Sequence, residues 1–249
     1  MNTMTRSFIL AGTLALAAAP AAAAPVQKVF FGEDLGLGEN TPLTAFPNAQ
    51  AAEVEFLSYL VGVGTETFEG FADNTYAPLA LTFPGAGTAT LTGGGDVNSV
   101  KPGTTNGFGR YAVSGSNYWA ASSGSFAVAF TTPIAAFGFY GIDIGDFNGR
   151  LTLTTTGGAT KNYTVNNTIG APGGSVLFWG VIDTADSFTA IAFGNTNAGT
   201  DYFGFDNMTI GSVEQVVVRP ESNVPMPAPL ALIAAGLIGV GLSRPRRRA

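Results

Sequence analysis

The chain reads as mainly β: a single β-sandwich with one short helix ahead of it, an apolar leader in front and an apolar C-terminal helix behind. Three observations predict this. From Thr65 onward, short runs of Phe, Val, Thr, Tyr and Ile alternate at period two. Clusters of Gly, Asn, Asp and Ser separate those runs, as turns do. Only one stretch of the mature chain, 47–61, spaces its apolar residues as a helix does.

Residues 1–23 have the three parts of a secretory signal peptide. Arg6 is the lone charge of the first part, 8–18 form the apolar core, and the alanines after Pro20 offer A-x-A sites, with cleavage expected after Ala23. The chain is therefore expected to meet the Sec export machinery and signal peptidase. Residues 24–46 mix turn formers with scattered apolar residues and read as a loosely ordered lead-in. The helix is expected over 47–61. Pro47 suits its first turn, Ala51, Ala52, Val54, Phe56, Leu57, Leu60 and Val61 recur at helical spacing, and Gly62 and Gly64 end it.

Strands are expected at 66–71, 109–113, 125–130, 135–142, 151–155, 162–165, 176–182, 188–193 and 203–210. Gly157 and Gly158 turn the chain between two of these, a hairpin signal. Many short strands with turn punctuation predict a sandwich over 47–212. Its core draws on 19 Phe, 7 Tyr and 2 Trp. Phe137 and Phe139, like Phe203 and Phe205, share one face of their strands. Residues 213–223 read as a linker.

There is no cysteine and no histidine. Disulfides, thiolate nucleophiles, His- or Cys-built zinc sites and Ser-His or Cys-His catalysis are all excluded. Without the leader and tail, 24–228 holds 6 basic and 17 acidic residues, a net charge of about −11. Such a surface disfavours nucleic acid as a partner.

The last 26 residues, 224–249, have a fixed order. A proline motif (Val224, Pro225, Met226, Pro227, Ala228) precedes an apolar run over 230–242, and a basic tip follows at Arg244, Arg246, Arg247 and Arg248. The run is 13 residues long, against the roughly 20 of a comfortable membrane span. Its glycines at 236, 239 and 241 weaken it further. Arginines after an apolar run stop it with the charges on the cytoplasmic side.

This tail resembles the PEP-CTERM sorting signal of Gram-negative bacteria in its VPxPA form, at Val224, Pro225, Pro227 and Ala228. Pro245 inside the basic tip departs from the pattern. The resemblance implies an exosortase, a membrane enzyme that cuts near the proline motif and releases the cargo or passes it to the surface. The alternative is a plain membrane anchor that is never cut. The cargo resembles a sandwich domain common among proteins with this tail. The stretches that carry the likeness are TFEGF, FGFYGIDIGDFNGRLTL and TDYFGFDNMTIG. Its element order is similar to jelly-roll carbohydrate-binding modules, in which carboxylates of the first and last strands often hold structural calcium.

Four sets of residues are candidates for chemistry. Glu69 on the first strand and Asp206 with Asn207 on the last would converge on Ca²⁺ if those strands pair; otherwise they are polar residues alternating with a Phe-lined core. The stretch 143–149 looks like a calcium loop but has Thr154 at its twelfth position, so it reads as a turn between strands. Asp143, Asp146, Asp183, Asp186 and Asp201 would supply a glycosidase-type carboxylate pair, though no spacing among them stands out. Tyr118 and Trp119 would stack on a sugar or else fill the core, as would Trp179 and Tyr202. The expectation is a non-enzymatic, exported protein of the cell surface or matrix, structural or adhesive, with exopolysaccharide as a partner. The competing expectations are a carboxylate-dependent enzyme on extracellular polysaccharide and a permanently anchored periplasmic domain.

Overall fold

A computed structural model describes residues 24–217. The expected signal peptide, the proline motif, the apolar run and the arginine tip lie outside the described residues. Among the described residues no helix is long and apolar enough to cross a membrane.

The described chain is two antiparallel sheets and one helix. Strands β1 (Gln27–Asp34), β2 (Thr65–Glu66), β5 (Gly95–Ser99), β6 (Asn117–Ser122), β8 (Ala136–Ile142), β11 (Val176–Asp183) and β13 (Tyr202–Gly211) form a seven-stranded sheet. Its order is β1-β11-β8-β13-β6-β5, with β2 paired to β13. Strands β3 (Leu79–Phe83), β4 (Gly87–Thr92), β7 (Ala127–Ile134), β9 (Leu151–Thr156), β10 (Lys161–Thr164) and β12 (Phe188–Asn195) form the second sheet, in the order β10-β9-β12-β7-β4-β3. The hairpin expected around Gly157 is β9 with β10, in register from Lys161 opposite Thr155 to Thr164 opposite Thr152.

Two apolar clusters lie on opposite faces of the larger sheet. Between the sheets pack Trp119, Phe126, Phe137, Phe139, Phe193, Phe203 and Phe205. On the outer face α1 (Pro47–Leu57) and the 100–116 loop cover a second cluster: Phe30, Phe56, Tyr111, Tyr140, Ile142 and Phe178. Covered on both sides, β8 and β11 are buried at every residue. Their near-continuous apolar sequence therefore reflects two buried faces rather than one.

The structure departs from the sequence expectations at five places. The lead-in is not loose: β1 runs through it, paired along all 8 residues with β11, and Asp34 accepts hydrogen bonds from the Asn48 and Ala49 amides at the start of α1. The helix ends at Leu57, because Ser58, Tyr59 and Leu60 close tighter turns onto Glu55, Phe56 and Leu57. The strand expected at 66–71 stops at Glu66, since Phe68 turns to φ 60° with its amide on the Glu66 carboxylate. The strand expected at 109–113 is loop, its backbone spent on side chains and distant carbonyls. The linker is partly structured: Val213–Gln215 form a 3-10 turn, Val216 pairs with Leu60, and Gln215 donates to the Gly62 and Pro84 carbonyls. Strands β3 to β6 escaped the sequence reading, because their glycines, threonines and alanines look like turn.

Candidate functional site

The first candidate set does converge, but on backbone. Asp206 is buried on the outer face of β13. One of its oxygens accepts the Val113 and Ser114 amides (2.9 and 3.4 Å), and the other accepts the Asn207 amide (2.7 Å). Glu69 accepts the Ser116 and Asn117 amides at 2.8 and 2.6 Å. Ser114 Oγ meets the Asn207 side-chain oxygen at 2.7 Å. The three residues thus clamp segment 113–117 from two sides. A Ca²⁺ shell needs six to eight free oxygens, and this set has spent most of its own on N–H groups, so it does not fit the ion. Among the described residues no group of three or more acidic side chains is placed to hold a metal. Burial holds the Asp206 carboxyl well above the usual carboxylate range, with its backbone hydrogen bonds opposing.

Tyr118 and Trp119 are both fully buried on β6, so neither offers a ring face to a sugar. Trp119 points between the sheets, 6.3 Å from Phe68 and 6.4 Å from Phe126. Tyr118 points the other way, against Gly204. Its hydroxyl is pushed up to about 12 by burial, the nearby Arg110 guanidinium opposing, and no hydrogen bond of normal geometry closes between them. Period two placed adjacent residues on opposite faces, and here both faces are covered. Trp179 is core as well.

The five aspartates separate to opposite ends of the sheet. Asp183 and Asp186 share Lys161 at the end where β1 begins. Asp143, Asp146 and Asp201 lie at the other end. Asp143 is 1% exposed, and its oxygens face the Gly174 amide (3.0 Å) and the Arg110 guanidinium (3.6 Å). Burial first, then the Asp146 charge, raises its carboxyl to about 7. No substrate reaches a carboxyl so enclosed.

What faces solvent at this end is a groove of about 300 Å³ lined by Tyr76, Ala77, Gly93, Gly94, Gly95, Asp96 and Tyr202. Tyr76 is 65% and Tyr202 46% exposed. Tyr76 pairs with Asp96, and the Ala77 amide donates to the Gly95 carbonyl, so the segment before β3 is fastened along β5. A Cβ on Gly93 would lie 1.8 Å from the Ser125 carbonyl oxygen, and φ there is 83°. Glycine is therefore required to bring the two sheets' connection into the groove floor. Asn98 donates to Asp96 at 2.9 Å. Partial burial raises the Asp96 carboxyl, with Asn98 opposing and the Asp73 charge adding to the rise. Two exposed aromatic side chains and a carboxylate acceptor over a floor of glycine suit a ligand with flat apolar faces and hydroxyl edges. A larger cleft, about 450 Å³ between 42–46, Gln50, Gly103 and 111–113, carries no charged side chain. Of the groove residues only Tyr202 stands among the aromatic candidates of the sequence. The Gly93-Gly94-Gly95-Asp96 run was the available signal.

No family model and no curated protein matches the chain. The fold and site define an antiparallel β-sandwich with an aromatic surface groove. Two solved structures are similar in part. One is the K2 cleaved adhesin domain of Lys-gingipain, at 17% identity and TM-score 0.37, covering 59% of this chain and 97% of that one. The other is TmCBM61 in complex with beta-1,4-galactotriose, at 14% identity and TM-score 0.30, covering 62% and 97%. At these values the two likenesses say nothing of shared sites.

Proposed function

We propose that this chain is an exported, surface-sorted β-sandwich that adheres to glycan through the Tyr76–Tyr202 groove. The carrying observation is the pair of exposed tyrosines flanking Asp96 and the glycine floor. Exposed aromatic side chains around a concave surface mark binding sites. The carboxylate would fix hydroxyls while the rings stack. In this reading Sec export and signal peptidase remove the leader, and an exosortase cuts near Pro225 and Pro227, leaving a non-enzymatic adhesive protein on the surface or in the matrix, with exopolysaccharide as its partner. We read the sandwich as jelly-roll-like, since β11, β12 and β13 alternate between the two sheets.

Topology supports the arrangement. Tyr202 opens β13 and Gly211 closes it, so the groove and the exit toward the tail lie at opposite ends of a 10-residue strand. That strand spans roughly 30 Å. A protein held by its C-terminus would present the groove outward.

Two measurements test this reading. Binding of the full-length chain to a panel of immobilised polysaccharides is expected, and is expected to be lost in a Tyr76→Ala, Tyr202→Ala double variant that melts normally. Binding that survives the double variant sinks the groove. Intact-mass analysis of the native protein should find it outside the cell, ending near Ala228. A full-length C-terminus confined to the inner membrane would mean an anchored domain instead.

A further inference from the structure

Phe108 is 63% exposed, yet the loop that carries it is closely fastened. Asn106 Oδ1 accepts the Phe108 and Arg110 amides, and the Asn106 amide donates to the Arg110 carbonyl. Gly107 and Gly109, at φ 87° and 81°, turn the chain on either side of the ring. A Cβ on Gly109 would lie 2.3 Å from the Asp143 carboxylate, so the loop is seated directly on that buried group. The ring is thus held out in water by a fastened loop.

The ring is also tied to the groove. The Arg110 guanidinium lies 5.7 Å from the Phe108 ring centroid and donates to the Tyr202 carbonyl at 3.2 Å. One arginine, 3.6 Å from the Asp143 carboxyl, thus links the Phe108 ring to the Tyr202 backbone. The groove lining itself contains one carboxylate and no cation. Asp146 and Asp201 add negative charge near Arg110.

We propose that the groove takes the interior of an extended, uncharged glycan chain, and that Phe108 is a further stacking platform for that chain, held by Arg110. This rests on the glycan-binding reading and names its ligand class. An open groove accepts a strand passing through, and three separate rings call for more than one sugar. An anionic chain would bring its charges against Asp96 with no cation in the groove to receive them, whereas neutral hydroxyls donate to that carboxylate.

The test is titration calorimetry of the full-length chain with cello-, xylo- and galacto-oligosaccharides of rising length, and with oligogalacturonides of matched length. For the best neutral series, affinity should rise with length and then level off. Phe108→Ala should leave the shortest binding oligomer unchanged and weaken the longest about tenfold. Oligogalacturonides should bind at least tenfold more weakly. Equal binding of the longest neutral oligomer by Phe108→Ala overturns the platform, and equal binding of oligogalacturonides overturns the uncharged ligand. Binding that needs Tyr76 and Tyr202 but ignores Phe108 overturns this inference alone. No binding by any neutral series at millimolar concentration overturns the groove reading with it.

Discussion

Phe56 of α1 lies directly on Gly180 of β11: a Cβ at Gly180 would come 2.9 Å from its ring, and one at Gly138 of the neighbouring β8 would come 2.8 Å from it. Phe178 closes the seat at 5.6 Å. The two glycines sit opposite each other in register, so together they form a flat place in an otherwise crowded apolar sheet. That is why glycine interrupts two of the most apolar strands of the chain.

Gly180→Ala and Gly138→Ala are each expected to push α1 off the sheet and destabilise the fold by about 1–3 kcal/mol. Gly70→Ala is the control. A Cβ there meets nothing within 4 Å, and its effect should stay within about 0.5 kcal/mol. Urea midpoints read both. Equal midpoints for Gly180→Ala and wild type would mean that the helix is not seated as described.

Stability should fall as pH rises from about 4 toward 7. The Asp143 carboxyl is raised to about 7 in the folded chain, and Asp206 is raised as well. A raised carboxyl keeps its proton in the fold after the unfolded chain has released it. The associated stability is therefore complete at low pH and is lost as pH climbs through the folded value. For Asp143 the ceiling is about 4 kcal/mol. Asp143→Asn removes that titration while keeping the shape, so the gap between pH 5 and pH 8 midpoints should shrink. An unchanged gap would show that Asp143 titrates normally.

Glu69→Ala should release the Ser116 and Asn117 amides from their acceptor. Their hydrogen exchange should accelerate while the sheet amides stay protected, and the loss of stability should be about 0.5–1.5 kcal/mol. Gly115→Ala should disturb the same segment, since its φ is 70° and a Cβ would lie 2.4 Å from the Glu69 carboxylate. Because backbone amides occupy this carboxylate pair, EGTA should leave the melting temperature unchanged. A drop on chelation would show that calcium does bind there.

Asp96→Asn should weaken glycan binding about tenfold with no change in melting. The same loss should develop in wild type as pH falls, because the raised Asp96 carboxyl protonates earlier than an ordinary one and a neutral acid accepts more weakly. Binding that does not vary with pH in wild type would mean that Asp96 is not a ligand contact.

Strands β8, β9, β11, β12 and β13 were legible to within one or two residues, since each carries a sustained apolar period or run with turn formers at both ends. The start of α1 was legible from Pro47. The strands β3 to β6 were not, because short pieces such as Gly95–Ser99 form only when a partner supplies the ladder. The pairing of first and last strands was anticipated in part: β2 does pair with β13, at Thr65 opposite Thr209 and Glu66 opposite Met208, though Glu69 lies in the turn beyond it.

By itself the sequence determined the class of fold and the absence of cysteine and histidine chemistry. These are properties of composition and of neighbours along the chain. Only the tertiary structure decided which carboxylates meet, that Glu69 and Asp206 serve backbone amides, and which aromatic rings face water. Tyr118 and Trp119 went inside while Tyr76, Phe108 and Tyr202 stayed out. The outer face of the larger sheet is covered by α1 and the 100–116 loop, and α1 lies more than a hundred residues before β11, one of the strands it covers. Burial is set by such distant partners, and no local period records them.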